Sequence, residues 1–252
     1  MTWPKGTARA ITRSLDIYYR DAARTARMDR LNAQFVGPGT LAFDIGAHLG
    51  DRTASFRRLG ANVVAVEPQP AIFRALRLLQ GKDTGVRLLP KAVGAREGQT
   101  SFYVNTANPT VSTASTEFVS AAPGAEAWRD QIWDRQISID VTTLDHLVEQ
   151  YGTPDHVKID VEGFEAEVLR GLSHPIQSLA FEFTTLQREV AYDALEALSG
   201  LGPYVFNYSL GERHALALSD WISVPQMAHL IQGLDETANS GDVYARLQRR
   251  HA

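Results

Sequence analysis

Phe43-Asp44-Ile45-Gly46-Ala47-His48-Leu49-Gly50 decides the fold. The apolar run Leu41–Ile45 empties into a loop with glycines at 46 and 50, and a helical pattern over Arg52–Leu59 starts directly after it. A strand, a glycine loop and a helix form the repeating unit of doubly wound sheets, and ligands bind at the carboxyl ends of such strands. The alternation continues outward. Asn62–Val66 reads as a strand, Ala71–Gln80 as a helix closed by Gly81, and Val86–Leu89 as a third strand. Further on come a helix over Leu144–Tyr151, a strand over His156–Val161, a helix over Glu165–Arg170 closed by Gly171, and a strand over Ser178–Phe183. Near-continuously apolar strands suit a sheet buried on both faces. Their alternation with helices predicts an α/β, doubly wound, Rossmann-like fold with a mostly parallel sheet.

Three regions depart from that rhythm. Residues 1–36 form a helical lead-in, with Ile11, Leu15, Tyr18 and Ala22 at helical spacing among Arg9, Arg13, Arg20, Arg24, Arg27 and Arg30. Asp16, Asp21 and Asp29 dilute the charge, so the expectation is a solvated helix on the flank. Gly37-Pro38-Gly39 breaks the chain there, and residues 37–252 make the main domain. Residues 105–136 show no helical or strand period and read as a mobile lid or binding loop. Trp128 and Trp133 would either line a pocket or anchor that insertion. Near the end, strands over Tyr204–Tyr208, His214–Leu218 and Asp242–Leu247, with a helix over Gln226–Ile231, are expected to extend the sheet edge in antiparallel fashion.

Composition narrows the function. Lys+Arg is 25 against 29 Asp+Glu in 252 residues, a net charge of −4. A nucleic-acid binder should carry a basic footprint, so no nucleic-acid partner is expected. The absence of cysteine removes disulfides, thiolate metal sites, iron–sulfur clusters and cysteine nucleophiles. No apolar run is long enough for a membrane span, and the N-terminus lacks the apolar core of a secretory signal, so the expected location is the cytoplasm. Nothing in the sequence fixes the oligomeric state.

The loop after the first strand offers Asp44, Gly46, Ala47, His48 and Gly50 to a ligand. A dinucleotide fingerprint is G-x-G-x-x-G, whereas Gly46 and Gly50 are spaced G-x-x-x-G. An acid at the strand end suits an ammonium group and repels a pyrophosphate. Glu67 ends the second strand 67 − 44 = 23 residues after Asp44, the separation at which an acid can accept hydrogen bonds from ribose hydroxyls. Pro68 then turns the chain, and Gln69 is expected to reach an adenosine. Lys158, Asp160 and Glu162 alternate, which places them on one face of a strand. Adjacent carboxylates at a strand end are costly unless they are functional or paired, for example Asp160 with Lys158.

Together these stretches resemble the FkbM-type S-adenosylmethionine-dependent methyltransferases. The resemblance rests on Phe43–Gly50, Val63–Pro68, Lys91-Ala92-Val93-Gly94, Thr143-Leu144-Asp145, Lys158–Glu165 and Leu169–Gly171, and spans roughly residues 35–185. His48 and Asp51 stand where the family often has Asn and Gln. The resemblance implies a seven-stranded sheet with one antiparallel strand and S-adenosyl-L-methionine as donor. It implies methyl transfer to a hydroxyl oxygen of a small-molecule acceptor, such as a sugar or polyketide. Carried over by position, Asp44, Gly46 and Gly50 would hold the methionine end, Glu67 the ribose, and Ala92 and Val93 the adenine side, with Asp160 and Glu162 facing donor and acceptor.

An aligned acceptor must lose a proton, so Glu162 is the expected base and Asp160 the orienting group, with His48 as an alternative base. Asp160, Glu162 and Glu182 offer oxygen ligands to a divalent cation. The competing readings are a non-catalytic nucleoside-binding module, a nicotinamide-dependent oxidoreductase and a nucleic-acid methyltransferase. The two retained carboxylates oppose the first and the missing third glycine the second. The third is opposed by the net charge and by the absence of an Asn-Pro-Pro-Tyr or Asp-Pro-Pro-Tyr motif.

Overall fold

Apolar strands that cannot face water pair into one twisted sheet, and the computed structural model shows where each lies. It describes residues 6–248; the remaining ends of the expected lead-in and main domain, 1–5 and 249–252, lie outside the described residues. In chain order the principal elements are α1 (Thr7–Tyr19), α2 (Ala22–Asn32), β1 (Leu41–Ile45), α3 (Asp51–Arg58), β2 (Asn62–Val66), α4 (Pro70–Gln80) and β3 (Val86–Leu89). Then come β4 (Ala92–Val93), β5 (Gly98–Val104), α5 (Thr116–Ala121), β6 (Arg135–Thr142), α6 (Leu144–Tyr151), β7 (His156–Ile159) and α7 (Glu165–Arg170). The chain finishes with β8 (Ser178–Thr184), α8 (Arg188–Leu201), β9 (Tyr204–Leu210), α9 (Val224–Gly233) and β10 (Ser240–Leu247).

The main sheet has seven strands in the order β3-β2-β1-β7-β8-β10-β9. β10 is antiparallel to both of its neighbours, and the β1, β2, β3, β7 and β8 pairings are parallel. The sequence order reverses between β1 and β7, the switch point where a crevice opens beyond the strand ends. Phe43, Val64, Val157, Leu179, Phe181 and Val243 are fully buried in the sheet core. Burying each such side chain contributes about 1.5–3 kcal/mol. Among the described residues, no helix is long and apolar enough to cross a membrane.

The expected lead-in is two helices. The first ends at Tyr19 with Arg20 as its cap, and Asp21 caps the second, its carboxylate accepting from the Arg24 amide at 2.9 Å. Ile11, Leu15 and Tyr19 pack on Leu49, Ile72 and Ala75, so α1 lies across α3's entry loop and α4.

Several expectations need correction. The expected strand over His214–Leu218 does not form: Asn207 bonds both the amide and the carbonyl of Leu218 through its side chain, and His214 adopts φ +49°. That stretch is a folded-back loop. Residues 105–136 are not irregular, because they contain α5 and short 3-10 turns around their own small core of Val111, Phe118, Ala122 and Trp128. The insertion's flanks, β5 and β6, join β4 in a separate three-stranded sheet that the sequence reading missed. The strand expected over His156–Val161 stops at Ile159, with consequences for the site.

Candidate active site

A cleft of about 1020 Å³, its open mouth included, lies beyond the carboxyl ends of β1, β2 and β7. The β1 loop, the β2 end, β4 and the β7 loop all line it, so residues separated by more than a hundred positions meet there. Asp44, Gly46, Ala47, His48, Glu67, Pro68, Gln69, Ala92, Val93, Asp160 and Glu162 all reach the cleft.

Gly46 has φ +81°, and a Cβ there would overlap the carbonyl oxygen of Asp160. The β1 and β7 loops can therefore touch only if residue 46 has no side chain. Gly50 is different. It does not line the cleft, its φ is +84°, and a Cβ would meet Leu76 Cδ1 at 2.6 Å. Its role is to pack the start of α3 against α4, which corrects its assignment to the ligand.

Four of the five loop amides are already used. Gly46 and Ala47 donate to the Val66 carbonyl, Gly50 donates to Ala47, and the His48 amide donates to Glu67 Oε2 at 3.0 Å. A pyrophosphate cradle needs such amides free, and these four are not. Glu67 accepts a second backbone bond, from Gln69 at 2.8 Å, and burial pushes its carboxyl up to about 7 despite both. Gln69 lines the cleft, and its side chain donates to the Pro109 carbonyl at 3.0 Å, tying the insertion to the cleft.

Asp44 is wholly buried and accepts from the Thr53 hydroxyl at 2.5 Å. Burial pushes its carboxyl up to about 6, opposed by Thr53. His48 has φ +48°, and its Nε2 is enclosed without a hydrogen-bond partner among the described residues. Burial lowers its pKa to about 4, so the imidazole is neutral at neutral pH.

The β7 loop corrects the one-face expectation. Asp160 lies past the strand end, and Glu162 takes φ +55°, a left-handed conformation that costs a non-glycine residue about 1–2 kcal/mol. Glu165 holds this turn, accepting from the amides of Val161 at 3.1 Å and Gly163 at 3.3 Å. The insertion holds it from the other side, since the Thr113 hydroxyl donates to the Glu162 carbonyl at 2.7 Å. The Lys158 ammonium bonds Asp160 at 3.1 Å and Asp242 at 2.9 Å. The ion pair considered from sequence therefore exists, and its Asp160 still lines the cleft.

Ligand atoms of Asp160, Glu162 and Glu182 lie within 4.8 Å of one another. One oxygen of Glu162 and one of Glu182 are enclosed and accept no hydrogen bond among the described residues. Burial, then Asp160, raises both carboxyls well above the ordinary range.

Several lining residues were invisible in the sequence. Tyr18, Arg24 and Asp51 come from the N-terminal helices and the start of α3, and Glu212 from the loop after β9. Trp128 and Trp133 do not line the cleft; they pack edge-on to Phe118 at 5.0 and 6.1 Å and so anchor the insertion.

The strand order, with β10 antiparallel and a cleft at the switch point, is that of a class I methyltransferase fold. The profile of the methyltransferase FkbM domain matches residues 44–207, and the chain belongs to that family. Over 141 residues it is 30% identical to the hexuronic acid methyltransferase AglP of Haloferax volcanii, covering 55% of this chain and 52% of that protein. The chain thus spans about half the length of that relative. Among solved structures, an O-methyltransferase from Bacillus cereus in complex with SAH superposes with TM-score 0.49 at 9% identity, over 98% of this chain and 93% of that one. A TehB-like SAM-dependent methyltransferase from Corynebacterium glutamicum gives 0.48 at 12%, over 96% of each.

Proposed function

We propose that this protein transfers a methyl group from S-adenosylmethionine to a hydroxyl oxygen of a small carbohydrate-like or polyketide-like acceptor. The observation that carries the reading is the β1 loop, four of whose amides are consumed internally beside three buried or cleft-facing acids, Asp44, Glu67 and Asp160. Such a site repels a pyrophosphate and favours a cationic ligand. That disfavours a nicotinamide cofactor and fits a donor bearing an ammonium and a sulfonium. The sugar acid in the archaeal relative's name supports a carbohydrate acceptor. A cytoplasmic setting, where the donor is available, accompanies the reading.

In this reading Asp44, Gly46, Ala47 and His48 hold the methionine end, Glu67 the ribose, and Pro68, Ala92 and Val93 the adenine, with Gln69 closing that side through the insertion. Gly50 acts indirectly, by seating the loop. The donor supplies an already activated methyl on a positive sulfur. The chain must place the acceptor oxygen and take its proton. Asp160, fixed by Lys158, orients the acceptor, and Glu162 takes the proton. Asp160, Glu162 and Glu182 would also hold a divalent cation, which would polarise the acceptor oxygen. The residues 105–136 would act as a cover, since Thr113 and Pro109 reach the β7 and β2 loops.

Calorimetry with S-adenosylmethionine, its demethylated product and NAD tests the donor, and a labelled-methyl screen over metabolite pools tests the transfer. Micromolar binding of donor and product with none for NAD is expected. NAD binding without a response to the donor would overturn the reading.

A further inference from the structure

The family domain begins at residue 44 and ends at 207, yet one wall of the cleft is built from residues on either side of it. Tyr18 and Arg24 come from the N-terminal helices and Glu212 from the loop after β9. They are locked together before any ligand arrives. The Arg24 guanidinium donates to Glu212 at 2.6 and 2.8 Å and to Asp51 at 2.9 Å, and it lies 4.9 Å over the Tyr18 ring. Tyr18 also meets His48 edge-on at 6.0 Å.

What this wall presents is polar without a spare positive charge. The Tyr18 hydroxyl has no hydrogen-bond partner among the described residues. Glu212 uses one oxygen for Arg24 and for His214, whose Nε2 lies 2.9 Å from it, and leaves the other unbonded among the described residues. Arg24 is saturated by Asp51 and Glu212, and Arg52 is paired with Asp242. Against this wall an acceptor carboxylate or phosphate would meet carboxylates and find neither arginine unpaired; the cleft's Lys91 lies beside β4, on the side assigned to the donor's adenine. A hydroxyl-rich, uncharged acceptor would find a donor–acceptor hydroxyl at Tyr18 and a free acceptor at Glu212.

We propose that Tyr18 and Glu212, braced by Arg24, select the acceptor, and that they select an uncharged polyhydroxylated molecule over its anionic counterpart. Acceptor choice is then encoded in the two segments flanking the family domain, and donor binding within it. The inference rests on the methyl-transfer reading and deepens it.

The test titrates the protein, saturated with S-adenosylhomocysteine, with methyl hexopyranosides and the matching hexopyranosiduronates, followed by saturation-transfer NMR. Wild type should bind a neutral glycoside about tenfold more tightly than its uronate. Tyr18→Phe and Glu212→Gln should each weaken the neutral glycoside about five- to tenfold, the effect of one lost hydrogen bond. Calorimetry should show S-adenosylhomocysteine affinity unchanged in both variants. Preference for the uronate, no binding of any neutral glycoside, or variants that leave glycoside binding unmoved would each overturn the acceptor assignment. Failure of S-adenosylhomocysteine to bind wild type would instead bring down the methyl-transfer reading beneath it.

Discussion

Arg24 and Glu212, 188 residues apart in the chain, share two hydrogen bonds to one carboxylate oxygen, at 2.8 and 2.6 Å. The contact clasps the N-terminal helices to the C-terminal part of the sheet across the mouth of the cleft. The Arg24 side chain is 5% exposed and Glu212 is 52% exposed. Breaking a buried pair costs about 3–5 kcal/mol, but half-exposure of one partner screens the loss. Arg24→Ala should therefore destabilise the protein by about 2 kcal/mol in urea unfolding, with Asp51 left uncompensated at the helix start. A change below about 0.5 kcal/mol would mean that the clasp is a surface contact in solution.

Gly46 and Gly39 both have positive φ, +81° and +82°, but different surroundings. A Cβ at Gly39 meets nothing within 4 Å, whereas at Gly46 it overlaps the Asp160 carbonyl. Gly39→Ala should cost about 1 kcal/mol, from backbone conformation alone. Gly46→Ala should cost more than about 3 kcal/mol, because the β1 and β7 loops must separate. Equal losses in thermal unfolding would show that the loops do not touch as described.

Glu67 is held in place by two backbone amides, so its carboxylate is oriented before any ribose arrives. Glu67→Gln keeps the size but can accept fewer hydrogen bonds. Donor affinity should fall by about 1–3 kcal/mol, measured by calorimetry beside a circular-dichroism check of folding. Unchanged affinity in a folded variant would move the ribose elsewhere.

Much of this arrangement was legible from local pattern. Residues 41–67 show apolar strands, a glycine loop and a terminal acid, and each depends on near neighbours in the chain. Asp160 and Glu162 were legible as carboxylates but not in their geometry. Strand alternation assumes extended backbone, and Glu162 leaves it at φ +55° because Glu165 and Thr113 fold the turn. Gly50 looked like a ligand glycine because spacing does not reveal which side of a loop meets a helix. Tyr18, Arg24 and Glu212 were hidden for a different reason. Their partners lie far off in sequence, and an arginine among six in a helix looks solvated until its acid is seen.

Glu165 links stability to pH. Burial pushes its carboxyl up to about 7 from the ordinary 4.5, despite the amides it accepts. The folded state thus keeps the proton over a range where the unfolded chain has lost it. Stability from this group is complete below about pH 4.5 and is lost as pH rises through 7. At about 1.4 kcal/mol per pH unit, the whole window corresponds to about 3.5 kcal/mol. Glu165→Gln does not titrate there, while His48 and His156, whose lowered pKa values act in the opposite direction, are common to both proteins. The stability gap between wild type and variant, measured in urea at several pH values, should therefore shift by about 3 kcal/mol in the variant's favour from pH 4.5 to 7.5. A constant gap would mean that Glu165 is not buried as a carboxyl.

Glu162 combines three costs that a purely structural residue would not accumulate. Its backbone is left-handed, its carboxyl is buried, and one of its oxygens accepts no hydrogen bond among the described residues. Strain of this kind persists where function requires it. Glu162→Gln keeps the shape and removes the basicity, so turnover should fall about 10²–10⁴-fold. Donor affinity should change little, because Asp44 and Glu67 remain. Glu162→Gly goes further: glycine accepts the +55° backbone, and the buried unpartnered carboxyl is gone. It should unfold at higher denaturant concentration than wild type, with a gain of about 1 kcal/mol, while being inactive. Greater stability with lost activity would identify a residue kept for its chemistry. If Glu162→Gln turns over normally and Glu162→Gly is several kcal/mol less stable, Glu162 is a structural carboxylate and the acceptor proton leaves by way of His48.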